Sequence, residues 1–269
     1  MKAAGGSGVS GNGTFDAIWG WELLKLRRSV VVRLITPLLV GLIPLASIGA
    51  VALARMPELP GAAASKFAPY AAGDLAATHL LVAGQILTMG VLLAGGFAAA
   101  WSYGREFADG TVGALTGLAV PRWTIGAAKA LLIAVWLTAC AIASLGVTLL
   151  LSLAVGGRPG GDAWQNTATA LLASLLVVAL VMPFACIATL TRSPLGTIGA
   201  LIGVVMVTQI LVVLGAGSWF PYAVPSLLTG MGGPEAAQAI QPWSLALTAA
   251  LAPAAVLVVA RQWRALNDI

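Results

Sequence analysis

Charge is what this sequence has least of. Lys, Arg, Asp and Glu together make up 9% of its 269 residues, against about 25% in an ordinary soluble domain, so they cannot cover a soluble surface. Histidine occurs once, at His79, and cysteine twice, at Cys140 and Cys186. One imidazole and two isolated thiols supply neither a nucleophile with its base nor a metal-ligand set, which argues against a membrane enzyme. Both cysteines fall inside apolar runs and read as small packing residues, not as a disulfide. There is no G-x-x-x-x-G-K-[ST], and "GAAKA" around Lys129 lacks the spacing that cradles phosphates. No catalytic residue, metal or cofactor is therefore expected on this chain. The net charge of +5 invites a nucleic-acid reading. However, the basic residues are scattered over the ends of apolar runs, which suits lipid headgroups better. The expected partner is the bilayer, with no nucleic acid.

Apolar residues are what is there in excess. They form 59% of the chain, and mean hydropathy is +0.97, the composition of a polytopic membrane protein. Charge-free segments run Leu34–Ala54, Leu75–Gly104, Ala130–Gly157, Ala163–Thr191, Ser193–Pro234 and Ala236–Ala260. A span needs about 20 apolar residues. The fifth segment is longer, but Gly215, Gly217, Pro221, Pro225, Gly230, Gly232 and Gly233 break its second half. It reads as one helix, Leu195–Leu214, followed by short broken helices that protein or a cavity must shield. Six spans result.

Lys and Arg then orient the chain. One side carries eleven: Lys2, Lys25, Arg27, Arg28, Arg33, Arg105, Arg122, Lys129, Arg192, Arg261 and Arg264. The other carries three, Arg55, Lys66 and Arg158. Both termini are expected in the cytoplasm, with the protein multi-pass in the plasma membrane. Residues 1–14, rich in Gly and Ser, read as a disordered tail. Residues 15–33 read as an amphipathic elbow helix at the membrane surface, and 34–269 as one six-helix domain. In the elbow, Phe15, Ile18, Trp19, Leu23, Leu26 and Val30 form the apolar stripe. Lys25 and Arg28 lie toward the other side, Trp19 and Trp21 suit the headgroup level, and Thr14 is placed to cap. The competing reading starts the first span early, near Trp19.

The second-to-third connection, "YGREFADGTVGALTGLAVPRW" (Tyr103–Trp123), is the longest central stretch not made for lipid. Gly104 can end the second helix, and Asp109-Gly110 is a strong turn pair. Thr111 can cap a short helix, Val112–Leu118, and Pro121 suits the start of another. Val112, Leu115 and Ala119 give that helix an apolar ridge. A helix so short is marginal alone in water, so it leans on something; the competing reading is a plain connector. In the fifth span, Gly199 and Gly203 form G-x-x-x-G, with Gly196 one turn earlier. Such spacing serves either a dimer interface or packing within one subunit.

Glu106-x-x-x-Gly110-Thr111, Leu115, Pro121-Arg122 and Lys129 together resemble the second-to-third-helix loop of ABC-2 type transporter permeases. Thr116 stands where that family has a second leucine, and Arg122 follows Pro121 directly. "ELLKLRRSVVVRL" (Glu22–Leu34) is similar to the family's elbow, and the "RQWRALNDI" ending to its tail. The resemblance implies an all-α polytopic protein: six transmembrane helices, an elbow, a cytoplasmic coupling helix between helices 2 and 3, and short broken helices before helix 6. It implies docking on cytosolic ABC ATPase subunits, which would bind ATP and Mg, and pairing with a second permease as homo- or heterodimer. Glu106, Gly110, Thr111, Val112, Leu115, Leu118, Pro121 and Arg122 would then couple to the ATPase, by helix-in-groove recognition.

An ion-coupled secondary transporter would need ionisable groups inside its spans, and the segments above contain no Asp, Glu, Lys or Arg. His79, near the outer end of the second span, reads as an interface residue, and Gln85 and Gln209 as interhelical hydrogen-bond partners. A non-transporting structural subunit stays open as an alternative. The connections on the outer side are short and the spans form no charged cleft. Export of a hydrophobic or amphipathic compound (a drug, peptide antibiotic or lipid) is the expected task.

Overall fold

The computed structural model of the chain describes residues 11–56, 62–111 and 121–265. Every regular element among them is helical: α1 (Gly11–Arg28), α2 (Val30–Ala54), α3 (Ala62–Phe67), α4 (Leu75–Ala108), α5 (Arg122–Ala154), α6 (Gly161–Thr191), α7 (Pro194–Val213), α8 (Val224–Leu228), α9 (Pro234–Gln238) and α10 (Pro242–Arg264). Six of them, α2, α4, α5, α6, α7 and α10, are long and apolar enough to cross a membrane. Six crossings bring both ends of the described chain to one side, hereafter the terminal face. The protein is a multi-pass membrane protein.

Local chemistry sets the boundaries. Asp74 caps α4, its carboxylate accepting the Ala77 N–H at 2.8 Å. Ser193 caps α7 ahead of Pro194, and Pro242 opens α10, where a missing N–H costs nothing. Pro37 is followed by a wide turn, Leu38–Leu42, inside α2.

α4 and α6 form the centre. In their most apolar 18-residue windows, 67% and 61% of residues are buried, against 17% in α7. Glycine makes the close crossings possible, since small residues let backbones approach in lipid. A Cβ on Gly84 would stand 2.7 Å from that of Ala170 on α6, and one on Gly96 2.6 Å from Leu201 on α7. At Gly95 it would run into Val181. On the face opposite the termini, the broken segment packs into the bundle. Val224 and Leu227 are buried, and the Tyr222 hydroxyl donates to the Leu180 carbonyl at 3.2 Å. Gln85 accepts from Tyr70 at 2.7 Å and donates to the Thr229 carbonyl at 2.9 Å.

Several expectations need correction. α1 ends at Arg28, where Ser29 breaks the helix with extended backbone (φ −60°, ψ 133°), so Arg33 belongs to α2 and not to the segment before it. Thr14 lies inside α1 rather than at its cap, and the tail expected over 1–14 is described only from Gly11, already helical. Gly104 does not end the second span. It lies within a wide turn, Ala100–Gly104, after which the helix runs on to Ala108. α5 begins at Arg122, directly after Pro121 as expected of that proline and two turns before the charge-free run that opens at Ala130, because helix ends follow caps and hydrogen bonds rather than charge. α10 begins at Pro242, after positive-φ turns at Gly232 and Gly233. His79, one turn into α4, is buried, with Nδ1 2.9 Å from the Ser152 hydroxyl. Gln209 lies exposed on α7.

Candidate functional site

The early start of α5 carries Lys129 two turns into the helix, where its side chain is only 3% exposed. A buried ammonium must be paired. Lys129 Nζ donates to Glu22 Oε2 of α1 at 2.8 Å and to Glu106 Oε1 of α4 at 2.7 Å. Lys25, one turn after Glu22, closes the ring, with Nζ 3.2 Å from Glu22 Oε1 and 3.1 Å from Glu106 Oε1. Two ammonium groups and two carboxylates alternate, so the cluster is neutral. Glu22 and Glu106 are 4% and 12% exposed, whereas Lys25 is 39% exposed. Burial alone would lower the Lys25 pKa, but the Glu106 and Glu22 carboxylates outweigh it and hold it above the ordinary lysine value. Glu106 takes both cations on one oxygen; its Oε2 is buried without a hydrogen-bond partner.

Aromatic packing stiffens this patch. Tyr103 donates its hydroxyl to the Gly126 carbonyl at 2.6 Å, joining α4 to α5. Trp263 of α10 meets Tyr103 and Phe107 edge-on at 6.0 and 6.4 Å, and its ring would touch any Cβ on Gly126. Arg192, left-handed at the end of α6 (φ 51°), lies over Phe107 at 5.8 Å. Arg264 lies over Trp123 at 5.4 Å. Four spans thus converge on the ends of one connection.

That connection leaves α4 by a tight turn. The amides of Gly110 and Thr111 bond back to Phe107 and Glu106 carbonyls at 3.2 and 3.0 Å, with Gly110 at φ +67°, a conformation glycine takes without strain. The Thr111 hydroxyl donates to the Glu106 carbonyl at 3.2 Å, closing the turn. The chain re-enters description at Pro121, whose carbonyl accepts from Thr124 as α5 begins with Arg122. The expected helix Val112–Leu118, with Val112, Leu115 and Leu118, lies outside the described residues.

Glu106 therefore pairs with Lys25 and Lys129, while Arg105 pairs with Asp109 at 2.8 Å. Lys25 turns into the cluster rather than toward headgroups, and Trp19 packs against the core. Trp21 and Arg28 are exposed. Gly196 sits against Thr191, but a Cβ on Gly199 or Gly203 would meet nothing within 4 Å, so neither packs inside the chain. Glu22 and Lys129 went unassigned in the sequence reading. A signal for Glu22 existed: it is one turn from both Ile18 and Leu26, an acid within an apolar stripe, and such an acid needs a buried cation. Among the described residues, no three of His, Cys, Asp and Glu gather as a metal site would need.

A protein-family profile described as ABC-2 family transporter protein matches residues 20–209. A comparison with curated proteins gave no match. The matched range takes in all four cluster residues and the connection between α4 and α5, and it covers well over half of the chain. The protein belongs to the ABC-2 family of transporter proteins, as a membrane-embedded transport component.

Proposed function

We propose that the chain is the permease subunit of an ATP-driven exporter, moved by a separate cytosolic ATPase that binds ATP and Mg. The observation that carries this reading is the ion cluster. Glu106 and Lys129 flank residues 112–120 on either side and are fastened to each other and to α1. A segment held so firmly at both ends passes a push on its middle into α1, α4 and α5 together. We place the terminal face in the cytoplasm, since it carries ten of the thirteen Lys and Arg among the described residues, and the protein in the plasma membrane. On this reading α1 is the elbow at the inner leaflet, and Val112–Leu118 is the coupling helix, with Gly110, Thr111, Pro121 and Arg122 shaping its ends. The cargo is a hydrophobic or amphipathic compound, because the spans offer apolar surfaces and no charged cleft.

Leu115→Asp tests the coupling helix. A carboxylate in an apolar groove on the ATPase costs several kcal/mol when unpaired, whereas on a solvated connector the change costs under about 0.5 kcal/mol. The variant should insert normally yet lose its ATPase on purification, or lose cargo-stimulated hydrolysis. A complex that stays assembled and transports at the wild-type rate would make residues 112–120 a connector only.

Pairing with a second permease is proposed through α7. Its Gly196, Gly199 and Gly203 lie on the least buried span, and Gly199 and Gly203 face no neighbour within the chain. Gly203→Leu adds bulk only on that outward face. Size-exclusion with light scattering should shift toward monomer at an unchanged melting temperature of the monomeric fraction. A dimer of wild-type strength would remove α7 from the interface.

A further inference from the structure

The ion cluster forms part of the wall of a cavity of about 520 Å³ in the crook between α1, the first turn of α2 and the terminal-face ends of α4 and α5. That volume lies within the range of small-ligand sites. Leu26, Val30 and Leu132 line it, with the rings of Trp21 and Trp101. Tryptophan pairs of this kind belong at headgroup level, where one end of a ligand is apolar and the other wet.

The charges around it do not cancel. Lys25, Arg28, Arg105 and Lys129 border the cavity against Glu22, Glu106 and Asp109, leaving one positive charge over. Lys129 is committed to the cluster. Arg28 enters no ion pair among the described residues. Arg105 lies over Trp101 at 4.5 Å and reaches Asp109 through Nε, which leaves the tips of its planar fork for a phosphate. On the membrane side, Val30 and Leu34 of α2 are both exposed, a track for acyl chains.

We propose that this cavity binds a phospholipid with a singly anionic headgroup, drawn from the leaflet at the terminal face. Its phosphate meets Arg28 and Arg105, and its chains leave along Val30 and Leu34. Basic pockets between spans take acidic headgroups in this way. The assignment does not depend on what the protein transports.

The test uses the purified full chain in neutral detergent, with native mass spectrometry following titration by dioleoyl phosphatidylglycerol or dioleoyl phosphatidylcholine. Wild type should retain the glycerol lipid at least tenfold better. Arg28→Gln with Arg105→Gln should abolish that preference, while Lys66→Gln with Arg158→Gln, on the opposite face, should keep it. Equal loss in both pairs would mean diffuse attraction and overturn the site. Ser102→Trp, which fills the cavity and keeps every cation, should also expel the lipid and guards against a misfolded charge variant. A Ser102→Trp protein that still prefers phosphatidylglycerol would overturn the cavity. Displacement of the lipid by excess glycerol 3-phosphate would reassign the site to free phosphate and overturn it as a lipid site.

Discussion

Lys129→Met should cost the purified protein about 3–5 kcal/mol of stability, the loss seen when one partner of a buried ion pair is removed. The methionine fills the volume, so the loss is electrostatic. Glu22 and Glu106, nearly closed to water, would face each other with only the half-exposed Lys25 between them. Removing Glu22 as well should help, because a Glu22→Gln, Lys129→Met protein keeps Glu106 with Lys25 and is neutral again. The double variant should therefore be more stable than Lys129→Met alone, and far from additive. Thermal unfolding in detergent of the two single variants and the double measures this coupling. Additive losses would mean that the four groups do not act as a unit, and the tie between α1 and the α4–α5 connection would then lose its physical basis.

Gly104→Val is the second severe change. A Cβ there would stand 2.8 Å from the backbone nitrogen of Pro194 and 3.0 Å from its Cα. The obstacle is backbone, so no side chain can rotate away, and α7 must shift from α4 at its first turn. Overpacking typically costs about 1–3 kcal/mol, and contact with a rigid proline places this case at the upper end or above. The contrast with Gly203→Leu is diagnostic: one glycine holds the bundle together, while the other faces outward. A Gly104→Val protein that melts within a degree of wild type would show that α7 is not held where α4 meets it.

The spans were legible because lipid imposes a single demand, about 20 apolar residues without charge, and Leu75, Thr191 and Ala54 mark boundaries where sequence and structure agree. The ion cluster was hidden by that same rule. Glu22, Lys25, Glu106 and Lys129 each stand near the end of an apolar run, where charge is ordinarily assigned to water or headgroups. Glu22 and Lys129 are 107 positions apart, and nothing local says that three helices bring them together. The glycines misled in a similar way. Gly199 and Gly203 carry the recognisable spacing yet meet nothing, while Gly84, Gly95 and Gly104 of α4 follow no short motif and make the tight crossings. Their importance depends on Ala170, Val181 and Pro194, which only folding places opposite.

The lengths of the spans bear on the membrane itself. α7 has 20 residues, which at about 1.5 Å each give roughly 30 Å, the thickness of the hydrocarbon layer and no more. α4, α5 and α6 have 34, 33 and 31 residues, so each overshoots that layer by roughly 17–21 Å. A thicker bilayer thus costs these three nothing but strands the ends of α7, and lipid must thin beside that helix alone. On the proposed pairing along α7, two copies that bring their thinned edges together would relieve the strain in both, and hydrophobic mismatch would add a force toward association there. That force grows with bilayer thickness.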